Sequence, residues 1–433
     1  MKRITVLAAV AVVVLGCNQE KRAETKEKVT NAASNVANKV QDAFDPSTPV
    51  GKPDPNEAKA REQQRFDQQW RQLQSFRNQQ AAQVAAAQQQ QQAQQTAAAV
   101  ANIQFVSGQK ETFKNIDVNA INGAPVSVPI TGDVRGPSVL KAQVFLDRVN
   151  YSVGSIDGRW GRNSAISVWW WQRGHGLPPT GDVDQATFAA LAQAAGNVPA
   201  VVSHTLTADD VKGPFVSIPQ DVYEQQSLDC LCYESLREKL SEKFHSTEDF
   251  LEVLNPDVKF SELKAGQSIN VPNVRAALTQ DQKDIAKVVI SIAGNSFNAF
   301  DANGALILHA PSTLGSGYDP SPDETVQVKK IIPDPHFHYD PTLYHEVPDS
   351  NPDAHLKPGP NSPVGVVWIA LSKPHYGVHG TKDPDAIGYA SSHGCIRLTN
   401  WDANDVEHRI SEGTQISFVD TSSKGLPEVA KKN

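Results

Sequence analysis

From Gln79 to Val100 the chain is almost wholly glutamine and alanine, and this tract limits what the rest can build. Its apolar side chains are small and unpatterned, so it cannot bury a core of its own. Upstream, Val29, Ala33, Val36, Val40 and Phe44 recur at steps of three and four, which is one apolar helix face. Asp45-Pro46-Ser47-Thr48-Pro49 and Lys52-Pro53-Asp54-Pro55 break that helix, and Phe66, Trp70, Leu73 and Phe76 give a second short stripe. We read residues 17–130 as an Ala/Gln-rich helical or disordered spacer, with a coiled coil as the alternative. The folded units are therefore expected downstream.

Ahead of the spacer, Lys2 and Arg3 precede an apolar run from Ile4 to Leu15, too short to span a bilayer as a permanent helix. Val14-Leu15-Gly16-Cys17 resembles the lipobox of bacterial lipoproteins. That resemblance implies a signal peptide over 1–16 and lipidation of Cys17, which would make the membrane a partner; a plain secretory peptide is the alternative. Asn18 stands where an Asp tends to retain such proteins in the inner membrane. The expected location is thus periplasmic, lipid-anchored to the outer membrane of a Gram-negative envelope.

A chain of 433 residues, 39% hydrophobic and 20% charged, suits two to four domains. A net charge of −8 offers no basic face for phosphates, so nucleic acid is excluded as a partner. Four cysteines are too few for a disulfide scaffold or a cysteine-rich zinc module. Cys230 and Cys232, one residue apart, could bridge only in a tight ring. They are expected as small buried hydrophobes, or as partners for each other under oxidising stress.

Residues 137–195 carry three helical stretches: one through Val139, Val144, Leu146 and Val149, one from Ala165 to Gln172, and one from Asp184 to Ala195. Tyr151, Gly154, Asp157-Gly158, Trp160-Gly161, Trp171-Gln172 and Gly176-Leu177 together resemble the three-helix peptidoglycan-binding domain family. Trp169, Trp170 and Trp171 invite a reading as a sugar-stacking platform, although neighbours on a helix point in different directions, so at least one belongs to the core. Over residues 213–273, Phe244, Leu251, Leu254-Asn255-Pro256 and Gly266 to Pro272 resemble the second half of a lysin motif, a small α+β glycan-binding fold. Its first strand is expected around Asp221 to Leu228.

From Ile285 alternating apolar residues and turns such as Asp301-Ala302-Asn303-Gly304 signal β-hairpins. Strands are expected through 288–292, 296–300, 305–308, 366–371, 376–379 and 415–419, with a helix from Asp402 to Ile410. Pro320 to Pro322, Pro333 to His345 and Pro348 to Pro363 read as long loops. Within this region lies Ser391-Ser392-His393-Gly394-Cys395-Ile396-Arg397-Leu398, preceded by Val378-His379-Gly380-Thr381. A free thiol near neutral pH is only a few per cent ionised, so a thiol nucleophile needs a base, and His379 lies 395 − 379 = 16 residues before Cys395. Gly394 leaves room for a substrate carbonyl and frees the Gly394 and Cys395 amides for an oxyanion. The Gly380 carbonyl is placed to hold the far nitrogen of His379.

These two segments, with Asn361-Ser362-Pro363-Val364-Gly365, Gly388 and Asn400-Trp401-Asp402, closely resemble the L,D-transpeptidase catalytic domain family over residues 284–421, with a tail over 422–433. The resemblance implies a mainly-β catalytic domain with Cys395 as nucleophile, His379 as base, the Gly380 carbonyl as its support, and the Gly394 and Cys395 amides as oxyanion hole. Ser392, His393 and Arg397 would shape the substrate site. It implies no cofactor, and peptidoglycan as partner. Cys395 would attack the third stem residue, expel the terminal D-alanine and pass the acyl group to a stem-peptide amine, a lysine-bearing acceptor protein or water. His336-Phe337-His338 with His345 could suggest a zinc peptidase, but an i, i+2 pair in a proline-rich loop without acids at metal-ligand spacing argues against a metal. The remaining alternative is a non-catalytic cell-wall anchor, against which the intact His379 and Cys395 argue.

Overall fold

The computed structural model describes residues 103–114, 117–344 and 346–419. The signal segment 1–16, Cys17, the Gln/Ala tract, His345 and the tail 422–433 lie outside the described residues.

Folded structure begins earlier than the sequence reading placed it. β1 (Phe105–Ser107) pairs in parallel with β2 (Val126–Val128), with α1 (Val118–Gly123) between them. Ile121 and Val126 are buried, and Phe105 meets Phe188 edge-on with ring centroids 6.0 Å apart. The expectation of a coreless spacer to residue 130 is therefore corrected from Ile103 onward, where large apolar residues return and find a surface to cover.

That surface is the three-helix unit, with α2 (Pro137–Arg148), α3 (Arg162–Gly174) and α4 (Gln185–Ala194) where the apolar spacing predicts them. Pro137 opens α2, where a missing N–H costs nothing, and the Asp184 carboxylate caps α4 by accepting from Thr187 N–H at 2.7 Å. All three neighbouring tryptophans are buried, which corrects the sugar-platform reading. α3 is covered on several sides, so there is no wet face for them. Trp171 stacks on His175 with centroids 4.4 Å apart, and the Arg173 guanidinium lies over both Trp169 and Trp170.

Next come β3 (Val201–Thr205), α5 (Val222–Gln225), α6 (Leu236–Lys243), α7 (Glu248–Leu254) and β4 (Ser268–Pro272). β3 and β4 pair antiparallel, so this module is strand–helix–helix–strand, with Leu240, Leu251, Ile269 and Val271 in its core. Its first strand is Val201–Thr205, not Asp221 to Leu228, where α5 lies instead, and the module's start moves up from 213 accordingly. The excursion between β3 and α6 leaves the module to pack Leu231, fully buried, against Ala354 and Leu356. Leu231 N–H donates to Pro358 O at 3.1 Å, and Asn361 N–H to Leu231 O at 2.9 Å. These bonds curve the chain around Leu231, and Cys230 and Cys232 are disulfide-bonded to each other with Cα atoms 5.2 Å apart. Of the two readings of this pair, buried hydrophobes or partners for each other, the bond bears out the second and corrects the first, because the buried residue is the leucine between them.

The C-terminal region contains β5 (Lys287–Ser291), β6 (Ser296–Phe300), β7 (Leu306–Pro311), β8 (Val326–Pro333), β9 (Phe337–Tyr339), β10 (Ala354–Leu356), β11 (Val367–Leu371), β12 (Gly377–His379), β13 (Ile396–Arg397), α8 (Asn400–Arg409) and β14 (Gln415–Val419). Among the described residues eight strands form one mixed sheet in the order β13-β12-β11-β8-β14-β5-β6-β7. β12–β13 and β14–β5 run parallel, and the other neighbours antiparallel. α8 packs on β11 and β12, burying Ala403 and Val406 against the sheet. Two stretches read as long loops contain β9 and β10, which pair as an antiparallel ribbon.

Candidate active site

Parallel pairing of β12 with β13 builds the site. Val378 and Ile396, both fully buried, stand opposite each other, and His379 stands opposite Arg397. Sixteen residues of chain are thereby folded back so that Cys395, just before β13, comes level with the start of β12.

His379 is 4% exposed and lies face to face with Trp368, centroids 5.4 Å apart. Its Nδ1 is 2.7 Å from Gly380 O. A carbonyl can only accept, so Nδ1 carries the proton and Nε2 keeps its lone pair. Burial, helped by the positive Arg397, pushes the imidazole pKa down to about 3, so at rest the ring is neutral. Burial also raises the Cys395 thiol, with backbone hydrogen bonding from Gly377 and the Arg397 charge pulling the other way. The thiol donates to His375 O at 3.6 Å. The resting pair is thus a neutral thiol and a neutral base.

Gly394 has φ +99°, and a Cβ there would stand 2.7 Å from Tyr376 Cε1, so glycine is required on both counts. Its amide is not free, as the sequence suggested: Gly394 N–H donates to Ser392 Oγ at 3.2 Å. Ser392 Oγ in turn donates to Cys395 O at 2.6 Å, and Ser321 Oγ donates to Gly394 O at 3.0 Å. Ser392 therefore holds the turn that presents Cys395. His393 Nε2 bonds Glu346 Oε1 at 2.8 Å and meets Tyr344 edge-on at 5.0 Å. Tyr344, whose phenol is pushed up to about 12 by burial and by Cys395, and Glu346 both come from the segment linking β9 to β10. Sequence reasoning passed over both, since nothing in a proline-rich loop marks which residue folds back. In that ribbon His338 Nε2–H donates to Asp353 Oδ2 at 2.9 Å, and the ring stacks on His355.

Arg397 exchanges both backbone hydrogen bonds with Thr313, and both residues line a cavity of about 640 Å³ between α6 and residues 381–390. Glu238, Glu242, Asn361, Thr381 and Asp385 also line it; Cys395 and His379 do not.

Residues 286–418 match the family model described as the L,D-transpeptidase catalytic domain. The chain carries an L,D-transpeptidase catalytic domain. Residues 135–191 match the putative peptidoglycan binding domain. The chain is similar to a putative L,D-transpeptidase of Bacillus licheniformis, 28% identical over 183 residues, which are 42% of this chain and 92% of that protein. It is 45% identical over 59 residues to the Bacillus subtilis counterpart, covering 14% of this chain and 36% of that one. A probable L,D-transpeptidase of Escherichia coli is 34% identical over 70 residues, 16% of this chain and 22% of that protein. Among solved structures, L,D-transpeptidase 3 from Mycobacterium tuberculosis matches 37% of this chain and 77% of its own at 16% identity, with a TM-score of 0.27.

Proposed function

We propose that this protein is a cysteine-dependent L,D-transpeptidase acting on peptidoglycan stem peptides. The observation that carries this reading is the His379 tautomer: with Nδ1–H fixed on Gly380 O, Nε2 is a neutral base on the strand beside Cys395. In the first half-reaction Nε2 takes the thiol proton, Cys395 Sγ attacks the carbonyl of the third stem residue, and the proton passes to the departing D-alanine amine. A thioester remains. An incoming amine gives up a proton to His379, attacks the thioester and returns the thiol. If that amine belongs to another stem peptide the product is a 3→3 cross-link; if to a protein lysine, a wall-anchored protein; with water the enzyme is an L,D-carboxypeptidase. The Cys395 amide would polarise the substrate carbonyl, and Arg397 and His393 would line the stem-peptide site.

The peptidoglycan-binding domain supports an extracytoplasmic place of work, where it would raise the concentration of stem peptides near Cys395. Lipidation at Cys17 would tether the enzyme to the outer membrane, and the strand–helix–helix–strand module would be a lysin-motif relative. Incubating the full chain with tetrapeptide muropeptides and weighing the products tests the reaction. We expect loss of D-alanine and a thioester on Cys395, and neither with Cys395→Ala. An adduct with a carbapenem that persists in Cys395→Ala overturns the assignment.

A further inference from the structure

We propose that Glu242, on α6 of the strand–helix–helix–strand module, and Asn400, at the start of α8, are positioning residues for His379, so that the module is a working part of the catalytic centre. This rests on the reading of His379 as the base. The Asn400 side chain is buried, and its two ends do different things. Oδ1 accepts from Thr381 N–H at 3.1 Å and from Val366 N–H at 3.3 Å. It sits so close to the chain that a Cβ on Gly365 or Gly380 would stand 2.0 or 2.2 Å from it. The peptide it grips is the one whose Gly380 carbonyl holds His379 Nδ1 at 2.7 Å. Fixing that peptide fixes the imidazole.

At the other end Nδ2 donates to Glu242 Oε1 at 3.2 Å, to Glu242 Oε2 at 3.1 Å and to Pro360 O at 3.1 Å. An amide is nearly symmetric in shape, and turning it over would aim its two N–H groups at the Thr381 and Val366 amides. Glu242 is what the NH₂ end recognises. The carboxyl stands on a helix whose opposite side is anchored by the fully buried Leu240, and the Tyr233 hydroxyl approaches Oε2 at 3.5 Å. Burial pushes it up to about 8. A residue kept merely to glue the module to the sheet would be better apolar, since burying a carboxyl is costly and an apolar contact is not. A carboxyl opposite the amide of Asn400 fits orientation rather than adhesion.

The test uses the full chain and three readouts: the limiting rate of Cys395 acylation by a carbapenem, the carbapenem concentration at half-maximal rate, and the thermal midpoint. Glu242→Leu is expected to lower the limiting rate about tenfold, part of the roughly 100-fold general-base contribution, with the half-maximal concentration unchanged. Glu242→Gln keeps an acceptor for Asn400 and is expected to stay within about twofold of the native rate, the conservative end of the same effect. Asn400→Asp should be slow as well, and combining it with Glu242→Gln, which now supplies the amide, should recover the rate even if Glu242→Leu does not fold. If Glu242→Leu and Asn400→Asp acylate at the native rate while His379→Gln is slow, the positioning proposal fails and the base assignment stands. If His379→Gln itself acylates normally, the base assignment fails. A slow Asn400→Asp that Glu242→Gln does not recover also overturns the positioning role.

Discussion

At Cys395 and His379 two ionisations decide the chemistry, and burial moves both away from the charged form. The imidazole, at about 3, is already neutral well below the pH at which an exposed histidine loses its proton, so raising the pH through 6.5 gains no further base. The thiol is raised, so its ionised fraction keeps growing on the alkaline side. Acylation of the full chain by a carbapenem is therefore expected to be level through pH 6.5, where the neutral thiol and neutral imidazole are both already present, and to depart from that level only as the thiol ionises on the alkaline side. An inflection there, lost in His379→Gln, would mean that the imidazole titrates as if wet. The juxtaposition of Cys395 with His379 and the Gly380 carbonyl was legible in the sequence because each rests on near neighbours: a glycine beside a histidine, a glycine beside a cysteine. The reason for Gly380 was only half legible. Its bare α-carbon admits Asn400 Oδ1, a contact made across 20 residues of chain, and no local pattern announces it. The Gly394 amide was misread for a similar reason, since Ser392 Oγ folds back over its own turn.

The first turn of α8 is where the parts of the molecule meet. Thr399 caps it, accepting from Asp402 N–H at 3.0 Å and donating to Asp402 Oδ2 at 2.8 Å. Successive helical residues point about 100° apart, and Asn400, Trp401 and Asp402 each address a different neighbour. Asn400 faces Glu242; Trp401 lies flat on His245, centroids 5.1 Å apart, with the Arg275 guanidinium 5.3 Å away; and Asp402 accepts from Ser152 Oγ at 3.0 Å. Thr399→Val removes the cap without changing shape. It is expected to cost about 1–2 kcal/mol, the usual value of an N-cap, by urea denaturation, with Thr399→Ser near native. An unchanged midpoint in Thr399→Val would show that the turn is held by its partners alone. Apolar periodicity predicted this helix from residue 402, missing the turn that makes the contacts because its residues are polar or aromatic and carry no period. β9 and β10 escaped notice because three-residue strands between prolines offer too little alternation to read.

Taken whole, residues 103–419 are joined by a polar seam rather than strung on linkers. His245 of the strand–helix–helix–strand module is at its centre. Its Nδ1 lies 2.8 Å from Asp147 Oδ2 on α2, and its Nε2 3.8 Å from Asp402 Oδ2 on α8; all three side chains are at most 3% exposed. The backbone seals the same junction, with Ile156 N–H donating to His245 O at 2.8 Å and Ser152 N–H to His309 O at 2.8 Å. The imidazole answers two buried carboxylates from two other units. His245→Ala leaves Asp147 Oδ2 without its hydrogen-bond partner, and a buried polar group left unsatisfied typically costs about 1–3 kcal/mol. Six of the seven tryptophans lie in this region, four in the peptidoglycan-binding domain and two, Trp368 and Trp401, in the catalytic domain. Tryptophan emission therefore reports mainly on one unit, and labelling of Cys395 by a thiol reagent on the other. In the native protein the two probes are expected to follow one urea transition. In His245→Ala that transition should move to lower urea, or divide, with emission changing before Cys395 becomes fully reactive. If the native probes already separate, or His245→Ala leaves the midpoint where it was, the three units fold independently and the seam is a contact without consequence.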